Sequence, residues 1–138
     1  MSSKLEFDIV GGDFNLAGKA SSKIKKKLKL LNIEPAAIKR IVVATYEAEL
    51  NVVAHAGSGK LIAVFESDHI LVTVTDCGPG IENIEMAMEA GFSTASKKVR
   101  EMGFGAGMGL PNIKKNTDEL NIKSSVEKGT ILTFKVYY

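Results

Sequence analysis

With 138 residues, 45% of them apolar, and a formal charge of only +2, the chain fits one globular domain spanning 1–138, and it lacks the basic excess and aromatic array of a nucleic-acid binder. Its single cysteine, Cys77, excludes an internal disulfide, and no apolar run approaches the ~20 residues of a membrane helix. With no signal-peptide core either, a reducing cytoplasmic setting without nucleic acid or membrane as partner is expected.

Residues 4–10 alternate apolar and polar side chains and stop at Gly11-Gly12, which predicts a half-exposed strand. A helix follows, with Ala20, Ile24, Leu28 and Leu31 on one stripe and Lys23, Lys25, Lys26, Lys27 and Lys29 around the rest. Such a lysine cluster is either a solvated face or a docking surface for an acidic protein. Asn32 to Pro35 breaks this helix, and Pro35 suits the first turn of the next.

That second helix is predicted to reach about His55. Ile38, Ile41, Val42, Thr45, Val52 and Val53 form its core stripe, and Ala44, Glu47, Ala48, Asn51 and His55 an adjacent one. Glu47 and Asn51 are one turn apart, so their side chains share a surface. An amide oxygen can ligate Mg²⁺, which takes few protein ligands, and a carboxylate can receive a hydroxyl proton, so the pair suits phosphoryl chemistry. Taken alone it reads simply as two polar residues on a wet face, and only the motifs that follow weaken that reading.

Two strands are expected at 60–66 and 69–76, joined by a tight turn. The second delivers Asp76-Cys77-Gly78-Pro79-Gly80, with Asp76 on the same face as Ile70, Val72 and Val74. An ionised carboxylate only accepts hydrogen bonds, which suits it to a purine exocyclic amine, while Gly78 and Gly80 allow a sharp turn and a flat ligand close to the backbone. Viewed by itself the motif is also an ordinary turn. A short helix is expected near 83–89. After it, residues 91–103 carry small hydroxyl side chains with Lys97, Lys98 and Arg100, a composition expected of a lid or an exposed loop.

Gly105-Ala106-Gly107-Met108-Gly109-Leu110 then opens a helix to about Thr117. Unpaired N–H groups and the positive end of the helix dipole make that a phosphate site. Strands near 119–126 and 130–137 close the chain, with Asp118 and Glu119 in structural roles.

In that order, Glu47-x-x-x-Asn51, Asp76-x-Gly78-x-Gly80 and Gly105-x-Gly107-x-Gly109-Leu110 resemble the three nucleotide-binding boxes of the Bergerat-fold ATPases. The resemblance implies a two-layer α/β (α+β) sandwich, its mostly antiparallel, mixed sheet covered on one face by helices, with an ATP lid. The chain is most similar to the stand-alone anti-sigma-factor serine/threonine kinases of bacterial partner-switching systems. Ile84 to Thr94 and Gly109-Leu110-Pro111 look like the stress-signalling branch, although the segment after Phe92 is longer and more basic than the compact lid of that branch.

This resemblance implies that Glu47 is the catalytic base, that Asn51 ligates Mg²⁺, and that Asp76 with Thr130 binds the adenine amine. It further implies Gly78 and Gly80 beside the adenine, Ser93 and Thr94 on the nucleotide, and Gly105, Gly107, Gly109 and Leu110 at the phosphates. The expected activity is transfer of the ATP γ-phosphoryl group to a STAS-domain partner. The alternative is a non-catalytic ATP- or ADP-loaded module that sequesters a sigma factor or other regulator. The resemblance is compatible with a homodimer.

Overall fold

A computed structural model describes residues 3–12, 17–55, 58–76, 109–125 and 129–138. The expected short helix at 83–89 and the lid with its basic residues lie outside them.

The strands are β1 (Ser3–Val10), β2 (Ser58–Phe65), β3 (His69–Asp76), β4 (Glu119–Ser125) and β5 (Gly129–Tyr137). They form one sheet in the order β1-β2-β3-β5-β4. The sequence resemblance implied a mixed, mostly antiparallel sheet; all four described pairings are antiparallel. The helices are α1 (Lys19–Leu30), α2 (Pro35–His55) and α3 (Gly109–Asn116). Their apolar stripes and one face of the sheet share a single core, in which Ile24, Leu28, Ile41, Val52 and Ile113 meet Leu61, Val72, Phe134 and Val136. The opposite face carries the alternate residues, among them Lys4, Glu6, Thr73 and Thr133, which are exposed or half-buried. This division follows from the period of two in each strand.

Local chemistry fixes the joints. The chain leaves α1 through Asn32 in the left-handed region at φ 59. There the Ile33 N–H donates to the Leu28 carbonyl at 3.1 Å and the Asn32 N–H to the Lys29 carbonyl at 3.1 Å. This pair of bonds is a Schellman ending, which Asn tolerates better than any other residue with a Cβ. Pro35 starts α2 where its missing N–H leaves nothing unpaired. β2 and β3 turn through Glu66–Asp68, with the Glu66 N–H donating to the His69 carbonyl at 2.8 Å.

The start of α1 is held from outside. Gly18 caps it at φ 95, and no side chain of its own turn contributes a cap. Instead Glu49 of α2, only 3% exposed, accepts the N–H groups of Gly18 and Ala20 on Oε2 at 3.2 Å and that of Ser21 on Oε1 at 2.8 Å. A carboxylate is suited to the positive end of a helix, and here it joins two helices as well. Far from there, Asp118 accepts from Arg40 of α2 at 3.0 Å and from the Tyr137 N–H at 2.8 Å, which bears out its structural role.

Candidate functional site

Helix α2 presents Glu47 and Asn51 one turn apart, both half-buried. Helix α3 packs on α2 with its first residue beneath Glu47: a Cβ placed on Gly109 would lie 3.5 Å from Glu47 Oε2. One turn further, Asn112 Nδ2 stands 3.5 Å from Glu47 Oε1 as a donor at the limit of hydrogen-bond range. The carboxylate therefore sits at the positive, N–H-bearing end of α3. This packing brings Glu47 of the first sequence motif against Gly109, in the described end of the third. Leu110, the residue that follows, is 6% exposed and belongs to the core, so it fixes the depth of that helix start.

Asp76 ends β3, half-buried, between two neighbours in register: Gly59 on β2 and Thr130 on β5. At Gly59 a Cβ would lie 2.8 Å from Val52 Cγ1 and 2.7 Å from the Thr75 carbonyl oxygen. Only a glycine lets α2 settle this closely on the sheet, one residue beyond Asn51. On the other side, Gly129 adopts φ 91, and a Cβ there would strike the Asp76 carbonyl and approach its Oδ1 to 3.2 Å. The start of β5 is thus pressed against the aspartate. Thr130, 6% exposed, lies 2.8 Å through Oγ1 from Ser124 Oγ, and Ser124 Oγ also donates to the Gly129 carbonyl at 3.3 Å.

Of the residues the motifs single out, Glu47, Asn51, Asp76, Gly109, Leu110 and Thr130 occupy these two clusters, one along α2 and α3 and one across the ends of β3 and β5. Gly78, Gly80, Ser93, Thr94, Gly105 and Gly107 lie outside the described residues, as does Cys77.

Three residues escaped the sequence reading. Glu49 carried a signal, a charge on the stripe of Thr45, Val52 and Val53. Asn112 falls one turn after Gly109, which places it over Glu47 once α3 meets α2. Ser124 left no signal, because its pairing with Thr130 exists only in the β4–β5 register. Among the described residues no group of three or more His, Cys, Asp or Glu could hold a metal, and no helix is long and apolar enough to cross a membrane.

Residues 36–137 match the profile of the histidine kinase-, DNA gyrase B-, and HSP90-like ATPases. The chain is 31% identical over 129 residues to the serine/threonine-protein kinase RsbT of Bacillus subtilis, an alignment covering 91% of this chain and 85% of the relative. It is 35% identical over 102 residues to an anti-sigma F factor of Caldanaerobacter subterraneus, covering 70% of this chain and 68% of that protein. In fold it resembles a chain in the crystal structure of the SiaB-SiaC complex from Pseudomonas aeruginosa, with a TM-score of 0.61 at 13% identity, covering 97% of this chain and 89% of that one. The mycobacterial sensor histidine kinase MprB follows at TM-score 0.55 and 14% identity, with 98% and 97% covered. The three ordered motifs, the helix-on-sheet sandwich and these likenesses agree: the chain belongs to the ATP-binding family of histidine kinase-, DNA gyrase B- and HSP90-like ATPases, among whose members its relatives are a serine/threonine kinase and anti-sigma factors.

Proposed function

We propose that the chain is an ATP- and Mg²⁺-dependent serine/threonine protein kinase that switches a regulatory complex by phosphorylating a STAS-domain partner. The observation that carries this reading is the placement of Glu47 of α2 at the N-terminus of α3, with Asn51 one turn further along α2. Asp76 and Thr130 hold the adenine, the carboxylate accepting from the exocyclic amine and the hydroxyl adding a second polar contact. The N–H groups at the start of α3 bind the phosphates, a role that the motif resemblance extends to Gly105 and Gly107.

The oxygen of a partner serine or threonine attacks the γ-phosphorus, the bond from that phosphorus to the β–γ bridging oxygen breaks, and ADP leaves. Glu47 takes the hydroxyl proton. Asn51 would hold Mg²⁺ through its amide oxygen, a single protein ligand fitting a cation that keeps most of its waters, and the cation would supply neutralisation of developing phosphate charge. Asn112 can hold Glu47 toward the acceptor hydroxyl. Phosphorylation gives the partner nearly two negative charges and changes its affinity for the kinase, which is the switch.

Glu47→Gln keeps the shape of the side chain and removes the base. With γ-labelled ATP and the STAS-domain protein encoded nearest this gene, label should pass to the partner with the wild type and not with the variant, while both bind ATP. Equal transfer by the variant removes Glu47 from the mechanism. The likeness to anti-sigma F factors favours a second reading, in which the nucleotide-loaded chain sequesters a sigma factor. Intact ATP binding with no transfer to any STAS partner would favour it.

A further inference from the structure

Where α1 ends and α2 begins, the two helices part and leave a groove of about 580 Å³. Its floor is apolar, made by Ile33, Ile38 and Val42, of which Ile33 and Val42 pack on the edge of the core and stay half-buried. Three exposed cations rim it, Lys25 and Lys29 one turn apart on α1 and Lys39 on α2, against a single anion, Glu34. The same turn of α1 leaves Leu30 83% and Leu31 45% exposed. Leucines at a helix end gain nothing by facing water. Three lysines around an apolar trough make it attractive to a ligand that is apolar on one side and acidic on the other.

The geometry points to the docking of an acidic amphipathic helix from a partner protein in this groove. On α2, Pro35, Ile38, Lys39 and Val42 recur at i, i+3, i+4 and i+7, the spacing against which a second helix can lay leucine-like anchors. Its acidic flanks meet Lys25, Lys29 and Lys39. A second copy of this chain would bring lysines against lysines and is disfavoured by the same charges. Lys39 and Val43 lie on the side of α2 that carries Glu47, two turns and one turn before it, so the docked helix ends within about 12 Å of axial rise from the carboxylate. The groove thereby deepens the kinase reading, on which it rests for its expectation of a protein partner: it is an anchor separate from the residues that handle nucleotide.

The test uses the full chain and a fluorescein-labelled helical peptide of about 18 residues, with leucines at i, i+3, i+4 and i+7 and glutamates elsewhere. Fluorescence anisotropy should show saturable binding that weakens as NaCl rises from about 50 to 500 mM. The triple variant Lys25→Glu/Lys29→Glu/Lys39→Glu should raise Kd by about tenfold or more and prefer the same peptide with lysine in place of glutamate. Val42→Asp should weaken both peptides, with the thermal transition and ATP affinity measured on each variant to show that the fold and nucleotide site persist. A scrambled peptide binding as well as the ordered one would overturn the proposal, as would charge reversal without effect. So would a wild-type dimer in sedimentation that Val42→Asp dissociates, since a second copy would then cover the groove. Each of these outcomes is independent of phosphoryl transfer and leaves the role of Glu47 to its own assay.

Discussion

Replacing Glu49 by glutamine should destabilise the protein strongly although the side chain is nearly isosteric. The carboxylate accepts three backbone N–H groups, from Gly18, Ala20 and Ser21. Ala20 and Ser21 are 1% and 4% exposed, so water cannot replace the lost acceptor. Glutamine keeps one oxygen, able to serve Ser21, but turns an amide N–H₂ toward the two N–H groups that Oε2 accepted. One buried donor left unpaired costs about 1–3 kcal/mol, and loss of a helix cap costs about 0.5–2 kcal/mol, partly the same loss counted twice. A total of about 2–3 kcal/mol is expected for Gln, and somewhat more for Ala, which adds a cavity. For a domain of this size that is a fall in Tm of roughly 10 °C. Urea denaturation followed by circular dichroism should show a lower midpoint with an unchanged slope, as befits a change in stability rather than in the surface exposed. A Glu49→Gln midpoint that keeps stability within about 0.5 kcal/mol of wild type would refute the reasoning, because the carboxylate would then be dispensable to α1.

Gly129→Ala should cost about 1–3 kcal/mol, since it combines a left-handed backbone with a methyl pressed on the Asp76 carbonyl. Nucleotide titration should register the displaced aspartate as weaker ATP binding; unaltered affinity and Tm would show that β5 yields freely. The hydrogen bond from the Tyr137 N–H, followed by Arg40, holds the Asp118 carboxyl below its ordinary value of 3.8. A carboxyl lowered in the folded state stabilises above its unfolded pKa, and that contribution is lost as pH falls through the folded value. Asp118→Asn should therefore lower stability at pH 7 and flatten the loss of stability between about pH 5 and 2, as measured by thermal melts across pH. Parallel curves for variant and wild type would exclude Asp118 from the acid limb.

The described elements and their faces were legible in the sequence, because that information is local. Period-two burial marks β1 and β3, the helical stripe marks α2 from Pro35 to His55, and Glu47 with Asn51 needs only 3.6 residues per turn to share a surface. Asp76 was legible for the same reason, since its face is set by Ile70, Val72 and Val74. Chain order also carried the three motifs, and with them the family. Which residues from separate elements meet depended on the packed fold. The register of β5 against β3 puts Thr130 opposite Asp76, and that of β4 against β5 gives it Ser124 as a partner. The contact of α3 with α2 sets Gly109 and Asn112 at Glu47. Glu49 makes the division plainest: on a helical wheel it is a charge wrongly placed among core residues, and it becomes intelligible only when the unpaired N–H groups of α1, 28–31 residues away in sequence, arrive to receive it. Periodicity reports which side of an element is buried, whereas the identity of what covers it depends on loop closure and packing that no local window contains.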